Sequence, residues 1–286
     1  MSLTTTDSQI PAFAHIWDEH TDHSAIETAF RQILNNDSNP PLSSDLRAEA
    51  LTQLARAQGL QDHFEDAKAT LKEALATSQE LIPHIRYHLE MGRVLRSSKA
   101  PAEESAPYFR KAYDQANNAA DAAAAAAGVD FFAADAAHML AILYPHSGPS
   151  DTTTWAQRTL EIARGSENVH TQSWAAIALN NSAWDLFDEK KYEESLEMFR
   201  EATTIRKRAL ENKETAKTKS TYRIARWSEA FVLRHLDRFE DAYTIQKQLL
   251  SEGETKPNRQ ELVLLCEKLD LAEETKEHRS ALETKF

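Results

Sequence analysis

The sequence has few of the residues that shape tight turns, with 6 glycines and 9 prolines among 286 residues. Strand-rich sandwiches and doubly wound α/β enzymes join their elements through many turns in which glycine or proline is needed. Such a small supply argues against both classes. The single cysteine, Cys266, excludes an intrachain disulfide framework and a zinc site built from cysteines, and we expect it to be a small core residue.

Long uninterrupted apolar runs are also missing. The most apolar stretch, residues 119–144, contains Asp121, Asp130, Asp135 and His138, which a membrane-spanning helix would have to bury in lipid. The first residues lack the basic and apolar segments of a secretory leader, so we expect none. We therefore predict no membrane partner and a cytoplasmic location, with the nucleus as the alternative.

Positive charge is scarce as well, because 33 Lys and Arg face 45 Asp and Glu and leave a net charge of −12. Proteins that bind duplex DNA neutralise its phosphates with Lys and Arg, so we do not expect a nucleic-acid partner. The sequence also contains no dinucleotide-binding glycine loop, phosphate-binding loop, nucleophile elbow or HExxH motif. We predict that the chain is not an enzyme and requires no cofactor or metal.

An internal repeat is present, and it determines the expected fold. Three segments share one pattern: residues 51–74, 179–202 and 226–249. Each has a small residue in the middle of its first helix, an aromatic residue nine positions later, and a second small residue three positions after that. In chain order these are Ala55, Phe64 and Ala67; Ala183, Tyr192 and Ser195; and Ala230, Phe239 and Ala242. Small residues allow two helices to approach closely, and the aromatic residue fills the corner of the turn.

This order of small and aromatic positions resembles the tetratricopeptide repeat, a helix–turn–helix unit. The resemblance covers roughly residues 45–252 and is strongest at residues 178–202. It implies an all-α fold, a right-handed α-solenoid of stacked antiparallel helix pairs. We predict a disordered N-terminus over residues 1–11, a helical cap and linker over 12–44, about five repeats over 45–256, and a capping helix and tail over 257–286.

The repeat period departs from that of the family. Tyr192 and Phe239 lie 47 positions apart, whereas the usual period is about 34 residues. The excess is long enough to add nearly two turns to each of two helices. We therefore expect a long-helix variant of the repeat.

The resemblance also implies a binding surface, because the first helix of each tetratricopeptide repeat lines the concave face of the superhelix. Family positions two, five, nine and twelve point to that face. We expect the binding residues to include those at matching positions or on nearly the same face, together with an asparagine that matches one element of the carboxylate clamp of heat-shock co-chaperones. They are Asp135, His138, Asn180, Asn181, Trp184, Arg223, Trp227 and Arg234.

These residues suggest a scaffold that binds a peptide or partner protein in the groove. Tryptophan supplies contact area and arginine binds carboxylates bidentately, so we expect an acidic or carboxylate-bearing segment. One alternative is a small-ligand-binding or enzymatic protein that uses Asp135, His138 and Arg223. Another is a heat-shock-protein co-chaperone, although Ile224 and Ser228 stand where its clamp requires Lys and Arg. The same residues could also be purely structural, with tryptophans packed between repeats.

Overall fold

The computed structural model describes residues 12–20, 22–35, 41–119, 128–144, 148–150 and 153–286. The predicted disordered segment 1–11 and residues 36–40 of the predicted linker lie outside this part of the chain. The chain divides into two compact units, unit 1 (Met1–Trp174) and unit 2 (Ala175–Phe286).

Unit 1 is a succession of helices that pack against their neighbours in chain order. They are α1 (Ala14–Glu19), α2 (His23–Asn35), α3 (Ser44–Gly59), α4 (Phe64–Thr77), α5 (Leu81–Ser97), α6 (Ala102–Asn118), α7 (Val129–Leu143), α8 (Trp155–Gly165) and the single turn α9 (Val169–Gln172). Short turns join α3 to α4 and α5 to α6, so each of these pairs is an antiparallel hairpin. The helix α3 also packs against α5, which places the first helices of two hairpins side by side.

Unit 2 contains three further hairpins. Its helices are α10 (Trp174–Asp188), which begins at the last residue of unit 1, α11 (Tyr192–Asn212), α12 (Ala216–His235), α13 (Phe239–Glu252), α14 (Lys256–Lys268) and α15 (Ala272–Lys285). Each helix from α11 to α14 packs against the next one. The described residues of both units contain helices and no β-strand among their secondary-structure elements. Within each unit, the prediction of an all-α fold built from consecutive packed helix pairs is confirmed.

Capping residues set where several helices begin. Thr154 and Gln157 form a reciprocal capping box at the start of α8. The Thr154 hydroxyl accepts from the backbone N–H of Gln157 at 3.2 Å, and the Gln157 side-chain oxygen accepts from the backbone N–H of Thr154 at 2.7 Å. Thr215 caps α12 in the same way, through Thr218. Because a side-chain oxygen here satisfies a backbone N–H that has no partner within the helix, these residues define the helix starts. The capping threonine at position 154 thus makes Trp155 the first residue of α8.

The turns inside five hairpins share one backbone conformation. One residue in each has a φ between 55° and 63°, in the left-handed region: Asp62, Lys99, Lys190, Asp237 and Asp270. After α10, for example, the backbone N–H of Lys190 donates to the carbonyl of Phe187 and that of Lys191 to the carbonyl of Leu186, both at 2.9 Å. These bonds satisfy the last carbonyls of the first helix. Aspartate tolerates this conformation better than lysine does, and glycine better than either.

The small residues of the repeat lie at close helix contacts. Ala55, Ala183 and Ala230 have no exposed surface. In the second hairpin the corresponding residue is Gly92, where an added Cβ would lie only 2.7 Å from the ring of Phe109. In these four hairpins the first helix is therefore held against the second through a position that has no room for a larger side chain.

The expected lengthening of the helices is found in two of them. The helix α11 has 21 residues and α12 has 20, whereas α3 and α4 have 16 and 14. The long period between Tyr192 and Phe239 thus comes from α11 and α12. Among the described residues, no helix combines the length and apolar character needed to cross a membrane.

Candidate binding surfaces

The predicted binding residues are divided between the two units. Asp135 and His138 lie on α7 in unit 1, and the other six lie on α10 and α12 in unit 2. Their convergence on one surface stays a prediction.

Asp135 is neutralised within unit 1. Its carboxylate is 4% exposed and contacts the guanidinium of Arg93 on α5, which also donates to Glu90 at 2.6 Å. Burial opposes the charge on Arg93, but Asp135 and Glu90 outweigh it and raise the pKa of Arg93. Asp135 therefore has a structural partner that the sequence prediction did not include.

The register of the repeat could have revealed Arg93. It directly follows Gly92, as Trp184 directly follows Ala183 and Arg56 directly follows Ala55. Among the predicted binding residues, Trp184 is the one that stands at this position. Applied to the first two repeats, the same register places arginines on α3 and α5.

His138 packs against an aromatic ring. Its imidazole centroid lies 5.2 Å from that of Trp174. Burial lowers the pKa of His138, although the nearby Asp135 acts in the opposite direction. The ring is therefore neutral near pH 7. No hydrogen bond joins Asp135 to His138 in the described structure, so the pair lacks the arrangement of an acid–base dyad.

In unit 2, four rings form what is called here the aromatic face: Trp184 and Phe187 on α10, and Trp227 and Phe231 on α12. Phe231 is the centre of the group, with ring centroids 5.6 Å from Trp184, 5.4 Å from Phe187 and 5.2 Å from Trp227. All four side chains are partly exposed. The aromatic face therefore combines packing between two first helices with surface that a partner can contact.

Both predicted arginines of unit 2 are paired with carboxylates. Arg234 binds Glu261 through two bonds of 2.7 and 3.2 Å. Arg223 lies 3.5 Å from Glu252 and donates to the carbonyl of Gly253 at 2.6 Å. Glu252 and Glu261 thus offset the excess of positive charge expected from these arginines. The pair at Arg234 is bidentate and mostly buried, whereas the ion pair at Arg223 is long and partly exposed.

Asn180 and Asn181 on α10 have free side-chain amides. Both are partly buried, and neither amide forms a hydrogen bond within the described residues. A side-chain amide offers two donors and an acceptor, which suits the backbone of an extended peptide. Asn180 and Asn181 are therefore predicted binding residues whose side-chain amides are free of partners among the described residues.

One group of potential metal ligands lies in the last hairpin. The ligand atoms of Cys266, Glu274 and His278 are within 4.8 Å of one another. Burial raises the pKa of the Cys266 thiol to about 11, and Glu274 accepts from Lys247 at 2.7 Å. Arg259 contacts Nδ1 of His278. A guanidinium only donates, so the ring proton lies on Nε2, which leaves no lone pair for a metal. These charges and protons oppose a cation.

Comparison with known families supports the repeat. Residues 176–213 match the family model described as the tetratricopeptide repeat, which confirms the predicted resemblance for one repeat comprising most of α10 and all of α11. A comparison with curated proteins found no match.

Proposed function

Because residues 176–213 form a tetratricopeptide repeat, we propose that this chain is a protein-interaction scaffold whose aromatic face binds a peptide or a segment of a partner protein. The observation that carries the proposal is the coexistence of partly exposed rings and free amides on the first helices of unit 2. The rings supply apolar contact, and Asn180 and Asn181 supply hydrogen bonds to a peptide backbone.

Ile224 extends this surface along α12. Its side chain is 57% exposed, and it lies one helical turn before Trp227, on a neighbouring part of the same helix face. Large aliphatic side chains that remain exposed next to aromatic rings are typical of interaction surfaces. An apolar side chain of the partner would cover Ile224 and Trp227 together.

The acidic character of the partner depends on Arg223 rather than on Arg234. The loose contact with Glu252 leaves Arg223 able to exchange that carboxylate for one on a ligand. Arg234 is held by a mostly buried glutamate, and removing it from that pair would leave a buried charge uncompensated. We therefore expect apolar contact to provide most of the affinity, with Arg223 adding a salt-sensitive part.

The alternative functions receive less support. A small-ligand or enzymatic site at Asp135, His138 and Arg223 would need an acid–base pair, but Asp135 is bound to Arg93. A heat-shock co-chaperone would need Lys and Arg where Ile224 and Ser228 stand, and Ser228 is 2% exposed. We do not propose either function.

Affinity capture from native lysate tests the proposal, followed by affinity measurements with the captured partner over a range of salt. Trp227→Ala should weaken binding at every ionic strength, because lost apolar area is not screened. Arg223→Glu should weaken binding most at low salt. Trp227→Phe should retain most of the affinity, and Phe286→Ala, which truncates an exposed aromatic residue elsewhere, is the control. If both Trp227→Ala and Arg223→Glu bind like the wild type, the aromatic face is structural only.

A further inference from the structure

Unit 1 contains a cavity of about 190 Å³ beside the first helices of its hairpins. Its charged lining comes from α3 and α5, and the remainder includes Met139 of α7. The charged lining residues are Arg56, Glu90, Arg93 and Arg96. A volume of this size holds roughly six water molecules at about 30 Å³ each, or one polar side chain of a ligand.

The three arginines differ in how fully they are neutralised. Arg93 is bound to both Asp135 and Glu90. Arg56 lies over the ring of Trp17, 5.0 Å from its centroid, and reaches Glu90 only at 3.5 Å. Arg96 is exposed and forms no ion pair with any described carboxylate. Three arginines against Glu90 and Asp135 leave one positive charge at the cavity.

The pKa of Arg56 agrees with this charge balance. Burial, followed by repulsion from Arg93, lowers its pKa in spite of Glu90 and Asp135. An anion bound in the cavity would relieve that repulsion.

Glu90 adds a requirement for a donor. Its carboxylate is 3% exposed, Oε1 receives Arg93, and Oε2 is buried without a hydrogen-bond partner. A buried carboxylate oxygen without a donor costs free energy. A complementary ligand would therefore bring an anionic group to Arg56 and Arg96 and an N–H group to Glu90.

We propose that this cavity binds the carboxylate of a glutamate or aspartate in a partner peptide, with a peptide N–H of the same segment donating to Glu90. The single positive charge matches one carboxylate better than a doubly charged phosphate. The site uses none of the residues of the aromatic face in unit 2. It therefore adds a second contact to the scaffold, and it gives unit 1 an acidic preference in addition to the one that Arg223 supplies in unit 2.

Two immobilised peptide pools test the proposal with the full-length protein. One pool has a fixed glutamate between three randomised residues on each side, and the other has glutamine at the same place. The wild type should be retained about tenfold better by the glutamate pool, as expected for hydrogen bonds to a charged group. Arg96→Gln, an exposed substitution, and Arg56→Gln should each reduce that preference severalfold, and Arg223 accounts for what remains.

Arg208→Gln is the matched control, because it removes the same charge from an exposed position on α11. It should leave the preference unchanged. Trp227→Ala should also retain the glutamate preference, so a failure of the aromatic face is distinguished from a failure of this site. Equal retention by the two pools, or a preference that is unchanged in both Arg96→Gln and Arg56→Gln, would overturn the proposal. So would displacement of the wild type by succinate or inorganic phosphate as effectively as by the soluble glutamate peptides, since the ligand would then be a free anion.

Discussion

The hydroxyl of Ser195 donates a hydrogen bond of 2.7 Å to the backbone carbonyl of Ala183. Both residues have no exposed surface, so a first helix and the second helix of its hairpin meet here almost backbone to backbone. The repeat places a small residue at each of these two positions, and the distance between the helices depends on both. Substitutions at this contact therefore test the register of the repeat directly.

Ala183→Leu should destabilise the protein by about 1–3 kcal/mol, because the added carbons have no space between α10 and α11. Urea unfolding measures the change in the free energy of unfolding. Ala209→Leu, at an exposed position on α11, is the control and should change it by less than about 0.5 kcal/mol. Equal stability of Ala183→Leu and the wild type would show that the assigned register is wrong.

Gly92→Ala should also destabilise, by about 1–3 kcal/mol, because its Cβ would lie 2.7 Å from the Phe109 ring. Gly165→Ala is a matched control, since an added Cβ there meets nothing within 4 Å. That variant should be neutral or up to about 1 kcal/mol more stable. Thermal unfolding of both variants provides the comparison, and a similar effect at the two positions would contradict the role of Gly92.

Lys190→Gly should raise the free energy of unfolding by about 0.5–1 kcal/mol. Lys190 has a φ of 63°, a conformation that is costly for lysine but not for glycine, and the gain exceeds the entropy that glycine adds to the unfolded chain. The neighbouring Lys191 has a φ of −88°. Lys191→Gly should therefore lower the free energy of unfolding. Urea unfolding of both variants measures the two changes, which should have opposite signs. A loss of stability at both positions would argue against strain at Lys190.

Asp135→Asn should cost about 3 kcal/mol, because the buried guanidinium of Arg93 would lose one of its two carboxylates. Asp114→Asn, at an exposed site on α6, should change stability by less than about 0.5 kcal/mol. Chemical unfolding of the two variants makes this comparison. An Asp135→Asn variant as stable as the wild type would show that the ion pair is not structural and would favour a binding role for Asp135.

His88 should make the protein less stable in acid. Burial, with smaller effects from Lys111 and His84, lowers the pKa of His88 to about 4, whereas an unfolded histidine has a pKa of about 6.5. Between these values the unfolded chain binds a proton that the folded chain does not, so the free energy of unfolding falls as the pH falls. The loss from this group is about 2–3 kcal/mol over the window.

Urea unfolding at pH 6.5 and pH 4.5 measures this effect. In His88→Gln the loss of stability between the two pH values should be smaller than in the wild type. Other groups titrate in both proteins, so the difference between them isolates His88. Parallel pH profiles would contradict the lowered pKa.

The sequence was sufficient to predict the all-α fold and the positions of the three hairpins that carry the repeat pattern. A small residue, an aromatic residue nine positions later, and a second small residue form a local pattern. Because the geometry of a helix places these residues on one face, the pattern predicts the contact between the two helices of a hairpin from that local segment alone. Phe64, Tyr192 and Phe239 accordingly each begin the second helix of a hairpin.

Only the tertiary structure decided which charges are free. Arg93 meets Asp135 across 42 residues of sequence, and Arg234 meets Glu261 across 27. These partners depend on how successive first helices pack, and no periodicity of a single helix encodes them. Arg56 and Arg96 remain weakly neutralised or unpaired for the same reason, since the packing of α3, α5 and α7 brings fewer carboxylates than arginines to their cavity.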